Sequence, residues 1–242
     1  MFSAHAGHPA TGVPSSPPTV TRTLLVDDHP IVLSGLEALV RDTLGYEVVG
    51  ATTSPAEAFE IAEAEAPALA VVDLFLGTRD GLELVRRLRA RLPELRVLVV
   101  SAHDEHVYAG RALSAGAHGF VSKRATPPDL ASAVRAVACG EIALADSVRE
   151  RLVEQFLGHD GTPDEPTARL TDRELEAFRL FGLGLATAQV AEAMSVSTKT
   201  VETYRLSIKS KLGLESNNAF IYRAVLWTLG HDPRPSGATA VS

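Results

Sequence analysis

The chain has little to hold it together covalently and nothing suited to holding it in a bilayer. A single cysteine, Cys139, in 242 residues excludes an internal disulfide framework and fits a reducing compartment. No apolar run approaches the roughly 20 residues that a spanning helix needs, so no membrane partner is expected. Charge is missing from the start: residues 1–21 contain no Lys, Arg, Asp or Glu and are crowded with Pro, Ser, Gly, Ala and His. That stretch has neither the basic start nor the apolar centre of a signal peptide. It reads as a disordered extension of a cytoplasmic protein. An excess of cations is also lacking. The net charge of −7 argues against a wholly basic nucleic-acid binder. The average hides a split, because residues 169–230 hold eight cations against six anions and the rest of the chain is acidic.

What is present is globular: 45% hydrophobic and 22% charged residues, in a chain long enough for two domains, each with its own core. From Arg22 to Cys139, apolar runs alternate with helical spacing. Strands are expected at 23–26, 46–50, 69–72, 96–100 and 119–121. Helices are expected at 31–42, 56–64, 82–92, 105–115 and 129–138. In the first helix Ile31, Leu36, Leu39 and Val40 are spaced to share a face. Five successive βα units imply an α/β fold, a doubly wound five-stranded parallel sheet with helices on both sides.

The run Leu69-Ala70-Val71-Val72-Asp73-Leu74 reads as a strand buried on both faces and ending on a carboxylate. Such a sheet collects its strand ends in one crevice. Here those ends supply Asp27, Asp28, Asp73, Ser101 and Lys123. Three carboxylates brought together repel one another unless a cation joins them, and Mg2+ with oxygen ligands suits phosphate chemistry. A carboxylate can itself attack phosphorus to give an acyl phosphate. Taken singly the residues stay ambiguous. Asp28 before His29-Pro30 also fits a helix N-cap, Lys123 a solvated lysine and Phe120 a core aromatic. His29 and His103 read as non-ligands, since no second imidazole is placed beside either.

Asp27-Asp28, Asp73 in Val72-Asp73-Leu74, Ser101, and Gly119-Phe120-Val121-Ser122-Lys123 together resemble the receiver domain of two-component response regulators, a flavodoxin-like fold. The resemblance implies that Asp73 is the phospho-acceptor of a partner sensor histidine kinase. It implies Mg2+ on Asp28, Asp73 and the backbone carbonyl of Phe75, with Asp27 acting through water. Lys123 would pair with the phosphoryl group, and Ser101 and Phe120 would act as the switch. Gly77 stands where relatives commonly have proline, which favours a more mobile loop. Phe75 is bulkier than its usual counterpart and is expected to shield the acyl phosphate from water.

An amphipathic helix over 142–157 and a Gly/Pro-rich tether over 158–166 come next. Leu170-Thr171-Asp172-Arg173-Glu174 opens a helix to about Phe181, with Thr171 and Glu174 as a capping box. Helices over 187–194, 199–212 and 218–229 follow, the second capped by Ser197 or Thr198 and ended by Gly213. A short helix, a turn and a longer helix form a helix-turn-helix, or else a small bundle for protein contacts. Leu170-Thr171-Asp172-Arg173-Glu174-Leu175-Glu176, Ala191-Glu192, Lys199-Thr200-Val201-Glu202-Thr203-Tyr204 and Lys211-Leu212-Gly213-Leu214 resemble the four-helix LuxR/FixJ (NarL-type) DNA-binding domain. The resemblance implies a double-stranded DNA operator as partner and dimerisation through the last helix. The expected DNA contacts are Thr198, Lys199, Thr200, Glu202, Thr203, Arg205, Leu206 and Lys209.

The expected organisation is an extension at 1–21, a receiver at 22–141, a linker with a helix at 142–168, a DNA-binding domain at 169–230 and a tail at 231–242. The expected function is a non-enzymatic, phosphorylation-controlled transcription factor, a homodimer at least when active. Two other readings are a pseudo-receiver that is never phosphorylated and an aspartyl-phosphate phosphohydrolase. The latter ordinarily carries a second carboxylate two residues after its nucleophile, where this chain has Phe75.

Overall fold

The computed structural model describes residues 20–77, 79–156 and 166–231. The expected N-terminal extension, most of the expected tether and the expected tail lie outside these residues. Five strands, β1 (Arg22–Val26), β2 (Glu47–Thr52), β3 (Leu69–Asp73), β4 (Arg96–Ser101) and β5 (Gly119–Ser122), form one parallel sheet in the order β2-β1-β3-β4-β5. Alternate residues face opposite sides, as a pleated strand requires. Leu24, Val26, Val72, Val97 and Val99 pack on one side; Leu25, Val71, Leu98 and Val100 pack on the other. The order places the reversal of winding between β1 and β3, so the residues just past those two strands border the crevice.

Helices α1 (Pro30–Ala38), α2 (Pro55–Glu65), α3 (Gly81–Arg91), α4 (Glu105–Ser114) and α5 (Pro127–Cys139) connect the strands. The side chains of Ser54, Asp80, Asp104 and Thr126 cap the last four, each accepting a first-turn amide. The first helix departs from expectation. After α1 the chain widens into a π turn at Leu39–Thr43, and Ile31 is 87% exposed because Leu33, Leu36 and Val40 form the inward stripe. Asp28 is not the N-cap: His29 holds that position and Pro30 opens the helix.

A bridge between Gly119 and Ala143 leads to α6 (Asp146–Phe156), which buries Val148 and packs Leu152 against the core while Val153 stays exposed. The second unit is all helical: a 3-10 turn (Pro166–Arg169), then α7 (Asp172–Gly182), α8 (Thr187–Ala193), α9 (Thr198–Leu212) and α10 (Asn217–His231). Thr171 and Glu174 form the expected capping box, Ser197 caps α9, and Gly213 ends it in the left-handed region. Phe178 and Phe181 of α7 meet Phe220 of α10 edge to face, with centroids 5.6 and 5.2 Å apart. The helices pass so closely that a Cβ on Gly182 would lie 2.1 Å from the Thr228 hydroxyl.

Candidate functional site

β1 ends at Val26, so Asp27 and Asp28 emerge beside the end of β3, where Asp73 is the last residue. Asp27, Asp28, His29 and Asp73 each present a ligand atom, all within 4.8 Å of one another. Lys123 follows β5, and its amide donates to the Ser101 carbonyl at 2.7 Å, fixing it next to the end of β4. Its ammonium lies 2.9 Å from Asp73 Oδ2 and 2.7 Å from Asp27 Oδ2. One cation among three carboxylates leaves the crevice short of positive charge. Burial drives the Asp73 pKa up to about 6; Lys123 pulls against the rise, and Asp27 and Asp28 add to it. Burial would lower the Lys123 pKa, but Asp73 and Asp27 outweigh it and hold it above its usual value.

The donor set suits a hard divalent cation, all oxygen apart from one imidazole. In the two-residue ribbon Phe75–Leu76 against Arg79–Asp80, the Gly81 amide donates to Leu74 across the partner position. Phe75 and Asp80 are therefore a non-hydrogen-bonded pair, and the Phe75 carbonyl is left outside the ladder. Asp28 Oδ2 accepts from the Gly77 amide at 2.8 Å, which ties the following loop to the crevice. Gly77 has φ +62°, a conformation a side chain disfavours. Ser101 is fully buried and its hydroxyl accepts from the His103 amide at 3.2 Å. Phe120 is already packed inside. The sequence reading set His29 aside, yet its Nδ1 is 2.5 Å from Asp28 and 3.4 Å from Asp27.

The larger surprise is what covers the crevice. Charged residues of α7, among them Asp172, Arg173 and Glu176, are buried against the first domain. Tyr108 donates to Glu176 Oε2 at 2.9 Å, and His103 Nδ1 lies 3.3 Å from the other oxygen, which Arg179 also reaches at 3.0 Å. Burial pushes the Glu176 pKa up, but His103 and Arg179 overcome it and hold the carboxyl down at about 2. Arg111 pairs with Asp172 and donates to the Leu170 carbonyl at 2.5 Å. Burial and the carboxylate of Asp80 raise the Asp172 pKa to about 6 against the pull of Arg111. Phe75, 5% exposed, meets His103 and Tyr108 edge to face, with centroids 4.3 and 5.6 Å away, and carries the Arg173 guanidinium over its ring at 4.4 Å.

On α9, Val201 and Ile208 face inward, while Thr198, Lys199 and Thr203 are exposed and Leu206 is 67% exposed. Glu202 and Arg205 pair with each other at 2.7 Å, Thr200 bonds the capping Ser197, and Lys209 reaches Asn217 at 3.4 Å. The contacts of α7 with the first domain leave this outer face uncovered. Along α10, Tyr222, Leu226 and Leu229 form an exposed apolar stripe at helical spacing.

Two family models match. Residues 23–135 fit the response regulator receiver domain, and residues 168–224 fit bacterial regulatory proteins of the luxR family. The transcriptional activator protein ExaE of Pseudomonas putida is 37% identical over 84% of this chain and 94% of its own length. A nitrate/nitrite response regulator homologue of Haemophilus influenzae is 31% identical over 82% of this chain and 93% of its own. Among solved structures, RcsB of Salmonella enterica serovar Typhimurium bound to a promoter with the phosphomimetic BeF3- is 25% identical. It superposes with a TM-score of 0.52, covering 86% of this chain and all of RcsB.

Proposed function

Since the chain belongs to the response regulators, with a receiver domain and a LuxR-type DNA-binding domain, we propose that it is a transcription factor phosphorylated on Asp73 by a partner histidine kinase. The observation that carries this reading is the convergence of Asp27, Asp28, Asp73 and Lys123 in one buried crevice beside Ser101. Asp73 attacks phosphorus as the N–P bond of the kinase's phosphohistidine breaks, and the imidazole keeps the electron pair of that bond. Asp28, Asp73 and the Phe75 carbonyl would hold Mg2+, with Asp27 in support, and the ion would supply the positive charge that the three carboxylates lack. Lys123 shifts from its two carboxylates to the phosphoryl oxygens. Ser101 turns its hydroxyl from the His103 amide to the same group, and Phe120 repacks into the space released.

Because the His103 amide rests on Ser101 and its ring on Phe75 and Glu176, this movement reaches α7 directly. DNA meets the outer face of α9, with Lys199 neutralising phosphate, Thr203 and Leu206 facing the bases, and Thr198, Thr200, Glu202, Arg205 and Lys209 at its border. The apolar stripe of α10 joins two copies on a two-fold site. A phosphohydrolase is disfavoured by Phe75, an apolar side chain where a second catalytic carboxylate is needed. None of the described helices is long and apolar enough to cross a membrane.

The test is DNA binding by wild type and Asp73→Asn, each with and without acetyl phosphate and Mg2+. A phospho-donor response present in wild type and absent in the variant supports the reading. An equal response in both, or none in wild type, overturns it.

A further inference from the structure

Arg173 is a buried cation without an anion. It lies in the first turn of α7 and is 7% exposed, so it cannot neutralise DNA phosphate from where it sits. Among the described residues it makes no ion pair or hydrogen bond, and its Nε is enclosed with no acceptor. It lies over the face of Phe75, two residues beyond Asp73, at 4.4 Å. Burial lowers its pKa against the opposing influence of Tyr204, Asp28, Asp73 and Asp80. Those three carboxylates belong to the receiver, and none comes within ion-pair distance of it. A desolvated guanidinium with an idle donor is costly, and a ring beneath its face leaves the N–H edge able to meet an acceptor. What this position lacks is an anion lying between the guanidinium and the crevice.

Resting on the assignment of Asp73 as phospho-acceptor, we infer that Arg173 is a phosphoryl-binding residue contributed to the receiver's crevice by the DNA-binding domain. A phosphoryl group on Asp73 projects three acceptor oxygens from the crevice and supplies the partner that Arg173 is missing. Phe75 holds the guanidinium in place from below. Phosphorylation then fastens α7 to the receiver through Arg173, so the second domain senses the phosphoryl group by touching it as well as through Ser101 and His103.

The experiment uses the full-length chain with Mg2+ and beryllium trifluoride as the phosphoryl probe. Affinity for the probe is followed by fluorine NMR, and amide exchange across residues 172–182 by mass spectrometry. Arg173→Met keeps an apolar chain over Phe75 but no donors, and should bind the probe about 10-fold more weakly than wild type. Arg173→Lys, with its charge retained, should recover part of the loss, and it carries the comparison should Arg173→Met fail to fold. The probe should slow exchange in α7 of wild type and leave it unchanged in Arg173→Met. Equal probe affinity in wild type and both variants, or faster α7 exchange in wild type on adding the probe, overturns the inference. Failure of wild type to bind the probe at all overturns the assignment of Asp73 first, and this inference with it.

Discussion

Asp73→Asn should stabilise the protein in the absence of divalent metal, although it removes half of an ion pair. In the folded chain the Asp73 carboxyl is nearly enclosed, and its pKa is raised from 3.8 to about 6. Two units at 1.36 kcal/mol each mean that keeping this group ionised costs about 3 kcal/mol at neutral pH. The side chain is only 6% exposed, so little of that is screened by solvent. Lys123 still has Asp27 at 2.7 Å after the substitution, so the variant orphans no ammonium. An Asn amide fits the site imperfectly, which leaves a net gain of about 2 kcal/mol.

The sign follows from the direction of the shift. Below pH 4 the carboxyl is protonated in both folded and unfolded chains, and wild type resembles the variant. Between about pH 4 and 6 only the folded chain holds the proton, so wild-type stability falls as pH rises, and above that the loss is constant. Urea unfolding followed by far-UV circular dichroism at pH 4, 5, 6 and 8 in EDTA measures the gap. It should open through that window, stay level to pH 8, and narrow when Mg2+ is added at pH 8, because metal stabilises only wild type. A gap absent at pH 8, or one that widens towards acid, would refute the electrostatic account of the crevice.

Three further outcomes are expected. Glu176→Gln strips a buried carboxylate from Tyr108, His103 and Arg179 and should cost about 3 kcal/mol of docking; a larger radius of gyration in small-angle scattering checks it. Thr171→Ala removes half of the capping box on α7 and should lower stability by about 1 kcal/mol in a chemical melt. Lys199→Ala, at an exposed position on α9, should reduce the slope of log affinity for duplex against log salt by about one while leaving sequence preference unchanged.

The crevice was legible because a parallel sheet dictates where strand ends go: Asp27, Asp28, Asp73, Ser101 and Lys123 are distant in sequence and adjacent by topology. The cap at Thr171 was legible because it is settled within four residues. The π turn after α1 carries no pattern that spacing can detect. His29 was passed over because the sequence was searched for a second imidazole, whereas the adjacent carboxylates were enough to hold its ring. The burial of Asp172, Arg173 and Glu176 is not written in the sequence, for a different reason. Helical periodicity reports the face a helix buries within its own domain, and α7 buries a second face on a domain whose contacting residue, Tyr108, is 68 positions from Glu176. The partners of the charged residues on that face are Arg111, His103 and Phe75, all far from α7 in the chain.

That second face bears on how binding to DNA would be controlled. The receiver grips α7 and leaves Lys199, Thr203 and Leu206 of α9 open, so on the proposed function docking would not act by covering that face. On the proposed function it would constrain position instead. A two-fold operator requires two recognition helices about 34 Å apart, one helical turn of DNA, and each α9 is tied to its receiver through α7 while α10 offers the joint to a second copy. Loosening α7 should therefore leave affinity for a half-site duplex unchanged and alter affinity only for the full two-fold site. Glu176→Gln measured on both duplexes separates the cases. If half-site affinity rises as much as full-site affinity, the receiver was shielding α9 after all, and positional control is wrong.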